Sequence, residues 1–200
     1  MSAVASGQVI ASATYFDLRG SWDGTLFRAN AEALPGMNSS GSIARTVAPI
    51  GTADFEPGFV AGASPADFRL TLDFVGMGPG VGSGTGSFIV TDADGDTVSG
   101  NISGTWIDGG SQVFFNGAMS NVVFTGTSFD GTSSGSFSTL FGGSGVYDGA
   151  VTQLFLSPPG NFFATPFDMV STGATMQILP APGAAALLGL GGLVVARRRR

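Results

Sequence analysis

Residues 86–106 read GSFIVTDADGDTVSGNISGTW. Phe88 and Val90 alternate with Ser87, Ile89 and Thr91, DADGD follows, and Thr97, Ser99 and Asn101 then alternate with Val98, Gly100 and Ile102. A period of two puts successive side chains on opposite faces, so each half predicts a strand with one apolar side. Gly95 takes positive φ without a Cβ clash, which suits the acidic turn between them. The run is therefore a β-hairpin.

The same pattern recurs on either side. In DFRLTLDFVGM (67–77), Phe68, Leu70, Leu72 and Phe74 fall on one face, and Asp67, Arg69, Thr71 and Asp73 on the other, wet one. TLFRANAEAL (25–34) alternates in part, QVFFNGAMSNVVFTGTSF (112–129) and GSFSTLFGGSGVYDGAVTQLFLS (135–157) read as further hairpins, and FDMVSTGATMQIL (167–179) as a last strand. Residues 35–66, rich in Gly, Pro and Ala, read as loops with at most one edge strand. Eight to ten strands and no amphipathic helix before Gly183 predict an all-β antiparallel meander, an up-and-down barrel in preference to a sandwich, followed by one C-terminal hydrophobic helix. The expected divisions are a flexible N-terminus (1–12), a β-rich domain (13–178) and a C-terminal tail (179–200).

Composition narrows the chemistry. The chain has 33 Gly, only 11% charged residues and a formal net charge of −6. Arg197, Arg198, Arg199 and Arg200 hold four of the eight positive charges, leaving residues 1–196 with four Arg against fourteen acids, a net −10. Such a body repels polyphosphates, so no nucleic-acid partner is expected. Cys, His and Lys are all missing, which excludes Ser–His–Asp and Cys–His catalysis, Lys Schiff bases and conventional zinc sites. Carboxylates remain, but the only two Glu, Glu32 and Glu56, sit in weakly patterned segments, and no acid pair is set up for glycoside hydrolysis. We expect no enzyme and no catalytic residue; a carboxylate-based glycoside hydrolase is the least favoured reading.

Two binding features stand out in the body. Asp92, Asp94 and Asp96 recur at alternate positions, the spacing by which one loop aims three carboxylates at a hard cation. The sixth and twelfth positions of that loop are Thr97 and Ser103, so it is not an EF-hand; calcium is the one ion the trio suits, and a plain hairpin turn whose Asp side chains cap backbone amides is the preferred reading. No other cofactor is expected. Trp22, Trp106, Tyr15 and Tyr147 are the aromatics that could stack on sugar faces; ordinary core positions are the preferred reading for them too. A carbohydrate- or calcium-binding extracellular module is the alternative function.

LPAPGAAALLGLGGLVVARRRR (179–200) is of another kind. Pro182 or Gly183 can open a helix, and Ala184 to Ala196 supplies thirteen uncharged residues. At about 1.5 Å per residue that spans roughly 20 Å, short of the ~30 Å hydrocarbon core. Adding Met176 to Leu179 and letting the arginines snorkel brings it to marginal spanning as a transmembrane helix. Four consecutive Arg favour a cytoplasmic end, with the acidic body outside. The N-terminal MSAVASGQVIASATYFDLRG has neither a basic n-region nor an apolar h-region, so either a leader lies upstream of Met1 or this copy has lost it.

Pro180-Ala181-Pro182, an Ala/Leu/Gly run and a terminal Arg197–Arg200 cluster together resemble the PEP-CTERM sorting tail, in a Pro-Ala-Pro variant with Ala181 where the namesake Glu stands. The resemblance covers the last 22 residues and implies a secreted protein, transiently anchored in the inner membrane and processed by an exosortase. It further implies a destination at the cell surface or in the exopolysaccharide matrix, with extracellular polysaccharide as the neighbouring partner. GGSGVYDGA (142–150) resembles, over nine residues, the Gly-Gly-Thr-Gly-Xaa-Phe-Xaa-Xaa-Ala hairpin of dirigent-like and allene-oxide-cyclase-like barrels, with Ser144 for Thr and Tyr147 for Phe. It implies a barrel and no catalytic residue.

Overall fold

A computed structural model describes residues 8–59, 67–141, 147–158 and 163–181. The strands in chain order are β1 (Ala11–Trp22), β2 (Leu26–Asn30), β3 (Ala33–Leu34), β4 (Met37–Asn38), β5 (Ser40–Arg45), β6 (Gly51–Phe55), β7 (Phe68–Asp73) and β8 (Val75–Gly78). They continue with β9 (Val81–Thr91), β10 (Thr97–Asp108), β11 (Val113–Phe124), β12 (Ser128–Asp130), β13 (Ser136–Ser138), β14 (Tyr147–Leu156) and β15 (Phe167–Pro180). No helix occurs among the described residues; the expected C-terminal helix from Pro182 onward lies outside them, but Met176–Leu179, which were to lengthen it, are instead held in β15 by its ladders. The chain is all-β.

One large antiparallel sheet dominates, in the order β15-β14-β11-β10-β9-β7-β2-β1-β5-β6, and β15 pairs in addition with β1. β1 is long enough to serve three partners. Its Arg19–Trp22 half pairs with β2, its Ala11–Phe16 half with β5, and its other edge with β15 from Ala11↔Ile178 to Trp22↔Phe167. The β12–β13 hairpin meets β6 through the Asp54↔Ser134 bridge, which covers an otherwise open edge.

The 86–106 hairpin forms as its alternation predicts. β9 and β10 pair from Thr91↔Thr97 to Val81↔Ile107, and Gly95 turns at φ 104°. Phe88, Val90, Val98, Ile102 and Trp106 are buried and join one continuous core. Trp106 sits at its heart, with ring centroids 4.8 Å from Phe115, 4.9 Å from Phe163 and 5.2 Å from Phe27. Gly84 makes room for it, since a Cβ there would run into the indole nitrogen. A second aromatic group links Tyr15 to Phe68 at 4.5 Å and to Phe59 at 5.6 Å, with Phe55 and Phe129 beyond.

Several expectations are corrected. Described residues 35–59 hold three strands: β4 pairs with β3, while β5 takes the half of the β1 edge not used by β2 and β6 adds to β5. Residues 112–129 are no hairpin, and neither are 135–157, whose β13 pairs with β12 and whose β14 pairs with β11 and β15. β11 runs straight through Asn116-Gly117, where Phe115 and the Ser103 carbonyl fill the space a side chain would take, and β12 pairs with β13 instead. Asp67, assigned to the wet face of the 67–77 run, is fully buried, whereas Phe68, Leu70 and Leu72 are buried as predicted. The sheet begins at Ala11 and ends at Pro180, slightly outside the 13–178 span.

Candidate functional site

The acidic turn between β9 and β10 is organised around Asp92, which is fully buried. Its Oδ1 accepts the backbone N–H groups of Asp94 (3.2 Å), Gly95 (2.9 Å) and Asp96 (2.7 Å), and its Oδ2 accepts that of Asp130 (2.9 Å). Burial pushes its carboxyl above the usual carboxylate range, and the neighbouring Asp94 acts in the same direction. Asp92, Asp94 and Asp130 bring one carboxylate oxygen each within 4.8 Å of one another. Asp96, the third member of the sequence trio, is not in this group; its carboxylate lies against Gly126.

This arrangement suits a staple better than an ion cage. A carboxylate has about four acceptor sites, and Asp92 meets four amides. Asp130 is 38 residues from Asp92, on β12, so no local spacing could have pointed to it.

The aromatics that could stack on sugars are all interior: Tyr15 and Trp106 are fully buried, and Trp22 and Tyr147 nearly so. Trp106 Nε1 donates to the Asp73 carbonyl at 3.1 Å, which settles its one polar atom within the fold. Tyr15 shares the interior with Asp67. Burial, and secondarily the Asp67 charge, lifts the Tyr15 hydroxyl far above its ordinary pKa. Of the two glutamates, Glu32 accepts a hydrogen bond from Arg19 at 3.3 Å and Glu56 is exposed just past β6.

Arginine is the informative residue type on the outside. Arg19 is clamped by Asp168 (2.6 and 2.9 Å) and Glu32, and Arg28 by Asp23 at 2.6 Å. Arg45 is buried and spends its guanidinium on the carbonyls of Val47, Ala48, Ser138 and Leu140, with the Phe141 ring 4.4 Å from its Cζ. Of the described arginines, only Arg69 has a side chain with no ion pair or hydrogen bond among the described residues. It lies in an open groove across β7, β9, β10 and β11 with Thr71, Ser87, Ser99, Asn101 and Asn121. Composition flagged neither this groove nor Arg69, because its members come from four strands and share no motif.

Of the sorting motif, Pro180 ends β15 opposite Tyr147 and Ala181 follows it; Pro182 and Arg197–Arg200 lie outside the described residues, as do residues 142–146 of the GGSGVYDGA run. No helix among the described residues is long and apolar enough to cross a membrane. No protein-family model, curated protein or solved structure matches this chain.

Proposed function

We propose that this is an exported, non-enzymatic β-domain protein of the bacterial cell surface or extracellular matrix, delivered by its C-terminal tail. The observation that carries the reading is the order of three features at the end of the chain. Pro180-Ala181-Pro182 starts at the last residue of β15, thirteen uncharged residues follow from Ala184, and four arginines close the run. An acidic body of net −10 ahead of a basic end suits the orientation in which the body is outside and the arginines are cytoplasmic. In this reading an exosortase and the membrane are the tail's partners.

For the body, we favour a barrel. β1, β2, β7, β9, β10, β11, β14 and β15 form a circuit of antiparallel pairings, and the β15–β1 ladder supports closure by leaving neither strand as a free end of the circuit. A side branch of β5 and β6 then stands on β1.

The test is fractionation of a host that carries an exosortase and expresses the chain behind a functional leader, with mass spectrometry of the C-terminus. The full chain should reach the surface or medium with its last residues removed, and a chain stopped after Pro180 should bypass the membrane stage. Recovery of the full chain from cytosol with Arg197–Arg200 intact would overturn the proposal.

A further inference from the structure

We infer that the groove around Arg69 binds an acidic saccharide, a uronate-bearing chain whose carboxylate is taken by the Arg69 guanidinium. The groove is marked out first by charge. The described part of the chain is strongly acidic, yet none of the nine residues lining this groove is an acid. Arg69 is exposed, whereas Arg19 and Arg28 on neighbouring strands are already neutralised by carboxylates. A guanidinium presents a planar fork that matches a carboxylate with two parallel hydrogen bonds.

The groove is marked out next by shape. Register aligns Thr71 with Ser87 and Ser87 with Asn101, a polar row across three strands. On the far side β11 bulges. Its pairing steps from Val123 to Ser120 while β10 steps only from Ser99 to Asn101, and Asn121 stands in the bulge at φ 53°, a left-handed conformation uncommon outside glycine. The bulge sets an exposed amide as one wall opposite Arg69. Across three strand gaps of about 4.8 Å the groove is roughly 14 Å wide, room for an oligomer lying across the strands.

The neutral groups select the ligand. Serine and threonine hydroxyls and asparagine amides both donate and accept, as sugar hydroxyls do. One cation among several such groups matches a chain whose sugars each carry hydroxyls beside a carboxylate. An acidic peptide offers Arg69 a carboxylate but no hydroxyls for the serines, threonine and asparagines around it. No aromatic platform is involved, which fits the burial of both tryptophans and both tyrosines.

The inference draws on the export proposal only for where such a ligand is met, and binding by purified protein is blind to export, so the two can fail separately. The experiment is calorimetric titration of the full chain with oligogalacturonate, its methyl ester and polyglutamate. Oligogalacturonate should bind, the ester at least tenfold more weakly, and polyglutamate not at all. Arg69→Gln and Asn121→Asp should each weaken oligogalacturonate binding at least tenfold while leaving the melting temperature unchanged. No binding by the wild-type chain, equal binding of acid and ester, an unchanged Arg69→Gln affinity, or polyglutamate binding as tight as oligogalacturonate would each overturn it.

Discussion

Asp92 joins its own hairpin turn to Asp130, 38 residues further along the chain, by accepting the Asp130 amide at 2.9 Å on Oδ2. The same carboxylate holds three turn amides on Oδ1, so a single buried side chain ties the β9–β10 turn to β12. Removing it orphans four backbone donors at once. Asp92→Ala should destabilise the protein by about 3 kcal/mol, read by urea unfolding. Asp94→Ala, which deletes none of these side-chain bonds, should stay within about 0.5 kcal/mol.

The same geometry speaks to calcium. Because Asp92 is committed to amides, only Asp94 and Asp130 of the cluster have acceptor sites to offer a cation. Millimolar calcium followed by excess chelator should leave the melting temperature unchanged. A rise with calcium that Asp94→Ala abolishes would show that the turn is an ion site after all.

Arg45 gives a sharper stability test. Its Nε and both terminal nitrogens reach four backbone carbonyls at 2.6–3.0 Å from a buried position. An ammonium is a compact group and cannot span that fork. Arg45→Lys should therefore destabilise by about 3 kcal/mol despite keeping the charge, as measured in the same unfolding assay.

The Arg19–Asp168 pair predicts a pH dependence. The hydrogen bonds from Arg19 hold the Asp168 carboxyl below its usual range. A depressed native pKa contributes stability above the ordinary carboxylate value, and that contribution is lost as pH falls through the native one. In Arg19→Gln, the Asp168 midpoint read by carboxyl-carbon NMR should rise toward the ordinary range, the Met169 amide keeping part of the depression, and the acid-side loss of stability should shrink. An unmoved midpoint would show that the pair does not form in solution.

Trp106 separates a core role from a surface one. It is fully buried amid Phe27, Phe115 and Phe163, so Trp106→Ala should cost about 4 kcal/mol. Any loss of oligogalacturonate binding in that variant should track the unfolded fraction rather than exceed it.

The hairpin at 86–106 was legible because two strands and their turn are contiguous and only one face is apolar; Phe88, Val90, Val98 and Ile102 follow directly. Asp67 was misplaced because alternation reports the face of a strand, whereas Asp67 precedes the first residue of β7 and enters the interior beside Tyr15. The 112–129 run misled for a related reason: Gly117 marks a close approach of neighbours within β11, which local sequence cannot tell from a turn. Asp130 and Arg69 were invisible as site residues, since each gains its meaning from strands far away in sequence.

β15 is bonded on both edges nearly to its last residue, to β1 up to Ile178 and to β14 up to Pro180. Were the tail held by a bilayer, only Ala181, Pro182 and Gly183 would separate the sheet from the uncharged run that begins at Ala184. The domain could not swing as a tethered ball does. A pull on the anchor would load two ladders together, so the protein would resist extraction mechanically and ride close against the lipid headgroups, its acidic body kept near them by the shortness of the leash.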